Sequence, residues 1–331
     1  MRRGLSQAGE RTVTKAVALP VFLSIIMTGS AAYQAAPSRP DQDPGSFRVS
    51  VDVALVVLHA TVTDAEGGFV SGLGEQDFEV YEDGVRQRIR ICSNEDIPVT
   101  VGLVVDHSST MRPKLAEVTA AARTFVRLSN RDDEMFVVNF NERVSMGLSG
   151  KSRFTNNTDE LENAITATPI DGQTALYDAI AKALDELQAG SRDRKVLIVI
   201  SDGGDNASAH SLGQVMKLAA RSSAVLYTVG LFDEQDPDRN PAVLKQLARA
   251  TGGEAFLPKQ FIEVVAICKR IARDIRNQYT IGYVPIKPTR DGAYHAIRVV
   301  ARTKGHDRLL VRTRTGYIAT DGPQLNERGA K

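Results

Sequence analysis

Val99-Thr100-Val101-Gly102-Leu103-Val104-Val105-Asp106-His107-Ser108-Ser109-Thr110-Met111 is the stretch on which the fold turns. From Val99 to Val105 the chain is apolar, interrupted only by Thr100 and Gly102. A strand with one wet face alternates apolar and polar residues, whereas an unbroken run marks a strand covered on both faces, as in a parallel sheet. The run ends at an acid, and short polar residues follow it. A helix is then predicted over 113–128, with Leu115, Val118, Ala122 and Phe125 on one face.

Outward from this unit the rhythm repeats. Strands are predicted at 135–140, 144–148, 196–200 and 225–229. Helices are predicted at 158–166, 175–189, 211–221, 241–250 and 260–276, the last striped by Val264, Ile267, Cys268, Ile271 and Ile275. Strands alternating with helices imply an α/β domain with a doubly wound, mainly parallel sheet over 98–277.

Both flanks are β-like. On the N-terminal side (47–97), Val49, Val51 and Val53 alternate with polar residues, as do Val56, Leu58, Ala60 and Val62. Strands at 78–81 and 85–91 flank Glu82-Asp83-Gly84, and Asp-Gly suits the positive φ angles of a tight hairpin turn. On the C-terminal side (278–319), Tyr279, Ile281 and Tyr283 alternate, then Ile297, Val299 and Ala301, then Leu309 and Val311. Neither flank has enough strands to bury a face alone. The expectation is one small split β-sandwich with the α/β domain inserted into it.

Ligands of open α/β sheets bind beyond the carboxyl ends of the strands. Three loops there are rich in hard oxygens: Asp106-His107-Ser108-Ser109-Thr110, Asp171-Gly172-Gln173-Thr174, and Ser201-Asp202-Gly203-Gly204-Asp205-Asn206. Carboxylates and hydroxyls without a thiol suit Mg²⁺, Mn²⁺ or Ca²⁺ rather than Zn²⁺. The candidate metal residues are Asp106, Ser108, Thr110, Thr174 and Asp202. The alternative is that these Ser and Asp residues only cap helices. Asp205 and Asn206 read as turn residues at the rim, and His107 as facing solvent.

Asp106-x-Ser108-x-Thr110, then Thr174, then Asp202 resembles the metal-ion-dependent adhesion site of von Willebrand factor type A domains. The likeness covers about 99–277, with Thr110 where the family usually has Ser. The resemblance implies that Ser108, Thr110 and sometimes Thr174 touch the ion, while Asp106 and Asp202 act through waters. It implies further that a partner protein supplies a carboxylate to the open position, and that helix 260–276 is the element that shifts in switching members. Val62-Thr63-Asp64, Gly67, Leu73, Asp77-Phe78-Glu79-Val80, Asp83-Gly84, Tyr279, Gly282-Tyr283, Asp291-Gly292 and Gly316-Tyr317 are similar to the VWFA-related domain family described mainly from acidobacteria.

Other classes fit less well. Lys+Arg 41 against Asp+Glu 40 gives no basic field for nucleic acid. An Asp after a buried strand also marks haloacid dehalogenase-type phosphatases, but those need a second Asp where this chain has Ser108. No G-x-S-x-G elbow or phosphate-cradling glycine loop occurs. The chain is therefore read as no enzyme. Two function classes remain: a metal-dependent adhesion or assembly protein, and a structural interaction module with a vestigial metal site that binds through its sandwich.

At the N-terminus Arg2, Arg3, Arg11 and Lys15 precede an apolar run over 16–27 and then Gly29, Ser30, Ala31 and Ala32. That is the order of an export signal, and the run is well short of the roughly 20 residues that span a bilayer. The segment 1–32 reads as a cleaved signal directing the chain to the periplasm, cell envelope or exterior; an uncleaved segment would instead hold it at the membrane. Residues 33–46 read as a disordered linker and 320–331 as a disordered tail. The cysteines, Cys92 and Cys268, are too few for a disulfide scaffold. Two buried thiols are expected, with a bridge between them, as in some secreted relatives, the alternative.

Overall fold

The computed structural model describes residues 55–148, 152–232, 238–286, 292–305 and 308–319. The export signal, the linker, the strand expected at 49–53 and the tail all lie outside them.

The N-terminal flank forms β1 (Val56–Thr63), β2 (Phe78–Glu82), β3 (Val85–Gln87) and β4 (Ile89–Ser93). The central part forms β5 (Val99–Asp106), α1 (Leu115–Leu128), β6 (Glu134–Phe140), β7 (Val144–Met146), α2 (Thr158–Thr166), α3 (Leu176–Gln188) and β8 (Arg194–Ser201). It continues through α4 (Leu212–Arg221), β9 (Val225–Gly230), α5 (Pro241–Thr251), β10 (Ala255–Phe256) and α6 (Glu263–Arg276). The C-terminal flank forms β11 (Tyr279–Tyr283), β12 (Tyr294–Ala301), β13 (Leu310–Arg312) and β14 (Gly316–Ile318).

The central sheet has six strands in the order β10-β9-β8-β5-β6-β7, all parallel except the edge pair β6–β7. Every residue of β5 is buried, as its unbroken apolar run requires. Val99, Val101, Leu103 and Val105 join the core under α1, α2 and α6. Val104 points to the opposite core, under α3, α4 and α5. Gly102 lies where a Cβ would sit 2.5 Å from both Leu197 Cδ2 and Phe136 Cζ, so packing demands that it stay small. The helices begin where capping chemistry allows. Asn157 accepts from the N–H groups of Asp159 and Glu160, Ser211 and Gln214 form a capping box, and Asn240 precedes a Pro at the first helical position.

The flanks combine into two four-stranded antiparallel sheets, β13-β1-β11-β4 and β14-β12-β2-β3. Each takes strands from both sides of the α/β insertion. One core joins them, including Leu58, Phe78, Val80, Tyr279, Ile281 and Val299. The single strand expected over 85–91 is broken at Arg88. β3 pairs with β2 in one sheet and β4 with β11 in the other, so the chain turns a corner between the layers. Both cysteines are free: Cys268 is buried on the inner face of α6, while Cys92, expected to be buried, is only half-buried on β4.

Candidate metal centre on the sheet edge

The chain runs outward from β5 through β6 to β7, then returns to lay β8 on the other side of β5. The gap between the ends of β5 and β8 is therefore a topological switch point, where loops diverge and leave a crevice. Asp106 is the last residue of β5, and Asp202 follows the last residue of β8.

Hydrogen bonds join the predicted residues there. The Asp106 carboxylate accepts from the Ser108 N–H (2.8 Å) and from the Ser201 hydroxyl (2.6 Å). Ser108 Oγ and Thr110 Oγ1 are 3.1 Å apart, and Thr110 Oγ1 donates to Asp202 Oδ2 at 2.8 Å. Burial first, and the Asp202 charge second, push the Asp106 carboxyl up to about 6, against the lowering effect of its hydrogen bonds from Ser201 and Ser108. A divalent cation relieves that repulsion. The hydroxyl-to-hydroxyl spacing also fits one: oxygens about 2.1 Å from a small divalent ion in octahedral array sit roughly 3.0 Å from their neighbours. The donor set is all oxygen, as hard cations prefer.

Thr174 is buried on the adjacent loop and tied there through its backbone. Its N–H donates to Asn206 Oδ1 (2.9 Å), and its carbonyl accepts from the N–H groups of Asn206 and Ala207. That loop meets the first one where Ser109 N–H reaches the Gly172 carbonyl and Asp171 N–H the His107 carbonyl. Asp205 accepts from the Tyr177 N–H and the Ser208 hydroxyl, fixing the start of α3. Asp205 and Asn206 thus brace the Thr174 loop. Gly203 takes a φ of +80°, and a Cβ there would lie 2.4 Å from the Asn240 carbonyl oxygen.

His107 corrects an expectation. It is fully buried rather than facing solvent, with Nε2 2.7 Å from the Ile165 carbonyl and Nδ1 3.1 Å from that of Val105. Burial lowers its pKa against the opposing effect of the two carbonyls, and the ring acts as a strut between the loop and the end of α2. Two further supports went unread in the sequence. Ser201 orients Asp106, and Lys114, buried, donates from Nζ to the Leu231 carbonyl at 2.8 Å. Position alone, a hydroxyl residue directly before Asp202, is the signal that could have exposed Ser201.

The fold and the site together are those of a doubly wound α/β domain with hydroxyls and carboxylates gathered at its switch point. The von Willebrand factor type A domain model matches residues 100–268, and the chain belongs to that family. Among solved structures, it is similar to the proximal thread matrix protein 1 of the mussel byssus with a zinc-occupied MIDAS motif (17% identity, TM-score 0.49). That likeness covers 60% of this chain and 50% of the mussel protein. It is similar also to a von Willebrand factor type A protein of Catenulispora acidiphila (12% identity, TM-score 0.48, covering 82% of this chain and 74% of that one). A third likeness is to the vWF domain of the type V pili tip protein Mfa5 from Porphyromonas gingivalis (16% identity, TM-score 0.46, covering 54% and 95%). A comparison with curated proteins found no match.

Proposed function

We propose that this chain is an exported binding protein that captures a partner protein through a divalent cation, Mg²⁺ in the first instance and Mn²⁺ or Ca²⁺ as substitutes. The observation that carries the reading is the hydrogen-bonded rim of Asp106, Ser108, Thr110 and Asp202 at the switch point, in which the Ser108 and Thr110 hydroxyl oxygens stand 3.1 Å apart, as neighbouring ligands of an octahedral ion do. Ser108 and Thr110 would hold the ion directly, and Thr174 lies on the loop that would close the third side. Asp106 and Asp202 would act through waters. Direct ligands that are neutral hydroxyls leave the ion most of its charge, and a partner carboxylate is the group that charge attracts.

Binding rather than catalysis is favoured because metal-assisted hydrolysis needs a base near the ion, and the adjacent imidazole, His107, is turned onto backbone carbonyls. Export rests on the charged, apolar, small-residue order of the first 32 residues. Among the described residues no helix is long and apolar enough to cross a membrane.

Calorimetric titration with Mg²⁺ and Mn²⁺ tests the reading. The expected result is one ion per chain, lost in Asp106→Ala, together with chelator-sensitive capture of a partner from the native envelope. Absence of binding by the unaltered chain would sink it. A second reading, capture through the sandwich, is favoured by the exposed apolar side chains Val85, Ile91, Tyr294 and Leu310 on that unit. In that case Asp106→Ala spares capture.

A further inference from the structure

Among the described residues, another side-chain cluster with metal-ligand chemistry lies in the sandwich, remote in sequence from the sheet edge. Glu82 ends β2, Asp83 occupies the turn to β3, and His295 sits on β12. One ligand atom from each falls within 4.8 Å of the others. His295 Nδ1 is 2.8 Å from Asp83 Oδ2 and 3.6 Å from Glu82 Oε1.

Those two distances bracket a geometric expectation. A tetrahedral Zn²⁺ with nitrogen and oxygen ligands at about 2.0–2.1 Å separates neighbouring ligand atoms by roughly 3.3 Å. An imidazole with two carboxylates is a ligand set that zinc accepts, unlike the all-oxygen sheet edge. The cluster is also built to stay in place. Asp83 takes a φ of +49° and Gly84 one of +80°, the paired positive angles of a tight hairpin turn. Asp83 Oδ1 accepts from the Ala296 N–H at 2.8 Å, which locks the turn onto β12. Glu82 is buried, and its two carboxylate oxygens accept from the hydroxyls of Tyr283 and Tyr317. Carboxylate ligands are oriented in this way by hydrogen bonds from an outer shell. Asp83 is half-exposed, which leaves a side open for ion and water.

We infer that Glu82, Asp83 and His295 form a zinc site, with an open fourth position for water, that staples the two flanks of the split sandwich. Its ligands come from both sides of the α/β insertion, so bound metal ties together segments that share no local sequence. A ligand that binds only the folded state stabilises it by mass action.

The test is zinc calorimetry and thermal unfolding on the full chain, in the unaltered protein and in His295→Gln, Asp83→Asn and Asp106→Asn. The expected result is a zinc-binding event that survives Asp106→Asn, weakens at least about tenfold in Asp83→Asn and vanishes in His295→Gln. The melting temperature should climb with zinc in every chain that keeps the cluster. Tyr317→Phe should weaken the event by about tenfold, the usual effect of removing an outer-shell partner. Asp83 lies on an exposed turn, so its variant reports on the site even if the His295 variant misfolds. Zinc binding that is absent from the unaltered chain, is lost only in Asp106→Asn, or is unchanged in Asp83→Asn overturns the assignment and leaves a simple histidine–carboxylate ion pair.

Discussion

At the scale of single residues, Thr110 is the position where this chain departs from the usual pattern of the proposed site, and its hydroxyl keeps the contacts that the proposal asks of it. Its hydroxyl donates a hydrogen bond to Asp202, and its oxygen stands 3.1 Å from Ser108 Oγ. The added methyl changes none of that. Thr110→Ser is therefore expected to keep Mn²⁺ affinity within about twofold. Thr110→Val, with the same shape and no hydroxyl, should lower it at least about tenfold, an effect of the size seen when a metal site's supporting contacts are lost. Calorimetry on the two variants decides; equal affinities would remove Thr110 from the site. That Asp106, Ser108, Thr110 and Asp202 gather at one sheet edge was legible because an order of polar residues after two buried strands is a property of the chain itself. The burial of His107 was not, because its direction is set by packing against the carbonyl of Ile165, remote in sequence. Gly102 carries a prediction of its own. Gly102→Ala drives a methyl into Leu197 and Phe136, and overpacking of this kind costs about 1–3 kcal/mol, readable in urea denaturation.

At the scale of elements, α6 is where the α/β domain and the sandwich are pinned together. Asp274, buried on α6, accepts from the Thr61 hydroxyl on β1, the Tyr227 hydroxyl on β9 and the Arg312 guanidinium on β13. Arg312 also pairs with Glu254. Removing one partner from a buried pair strands the other, at a typical cost of about 3–5 kcal/mol. Asp274→Ala is expected to fall in that range, and Glu254→Ala, which is more exposed, to cost well under half as much. Similar losses for both would mean that the network is not centred on Asp274. None of these partners was visible in the sequence, since each pair joins residues far apart along the chain. The elements themselves were. Runs of β5 and β8 length and stripes of α1 and α6 length carry enough residues to show their period. β10, with two residues, is too short to show one. The break at Arg88 escaped because alternation on either side of a corner looks continuous.

At the scale of the whole molecule, the strands of each flank lack a face of their own to bury, and the fold resolves this by letting two distant segments share one core. The seam this creates gathers charge. His59 on β1 is buried within reach of Arg194, from β8, and Arg314, from the C-terminal flank. Burial first, then the two guanidinium charges, lower its pKa from 6.5 to about 3. A histidine held neutral in the fold but free to protonate when unfolded makes the unfolded state the better proton binder between those values. Its contribution is therefore fully present above pH 6.5 and is lost as pH falls from there toward 3. Between pH 8 and pH 5 the loss amounts to about 2 kcal/mol. Asp106, raised to about 6, works in the opposite sense, because it favours protonation in the fold. Comparing the unaltered chain with His59→Gln at both pH values cancels that opposing term, along with every other group the two proteins share. The unaltered chain should lose about 2 kcal/mol more than the variant on acidification, measured by urea unfolding. Equal losses would mean that His59 titrates alike in both states and that the seam does not hold it neutral.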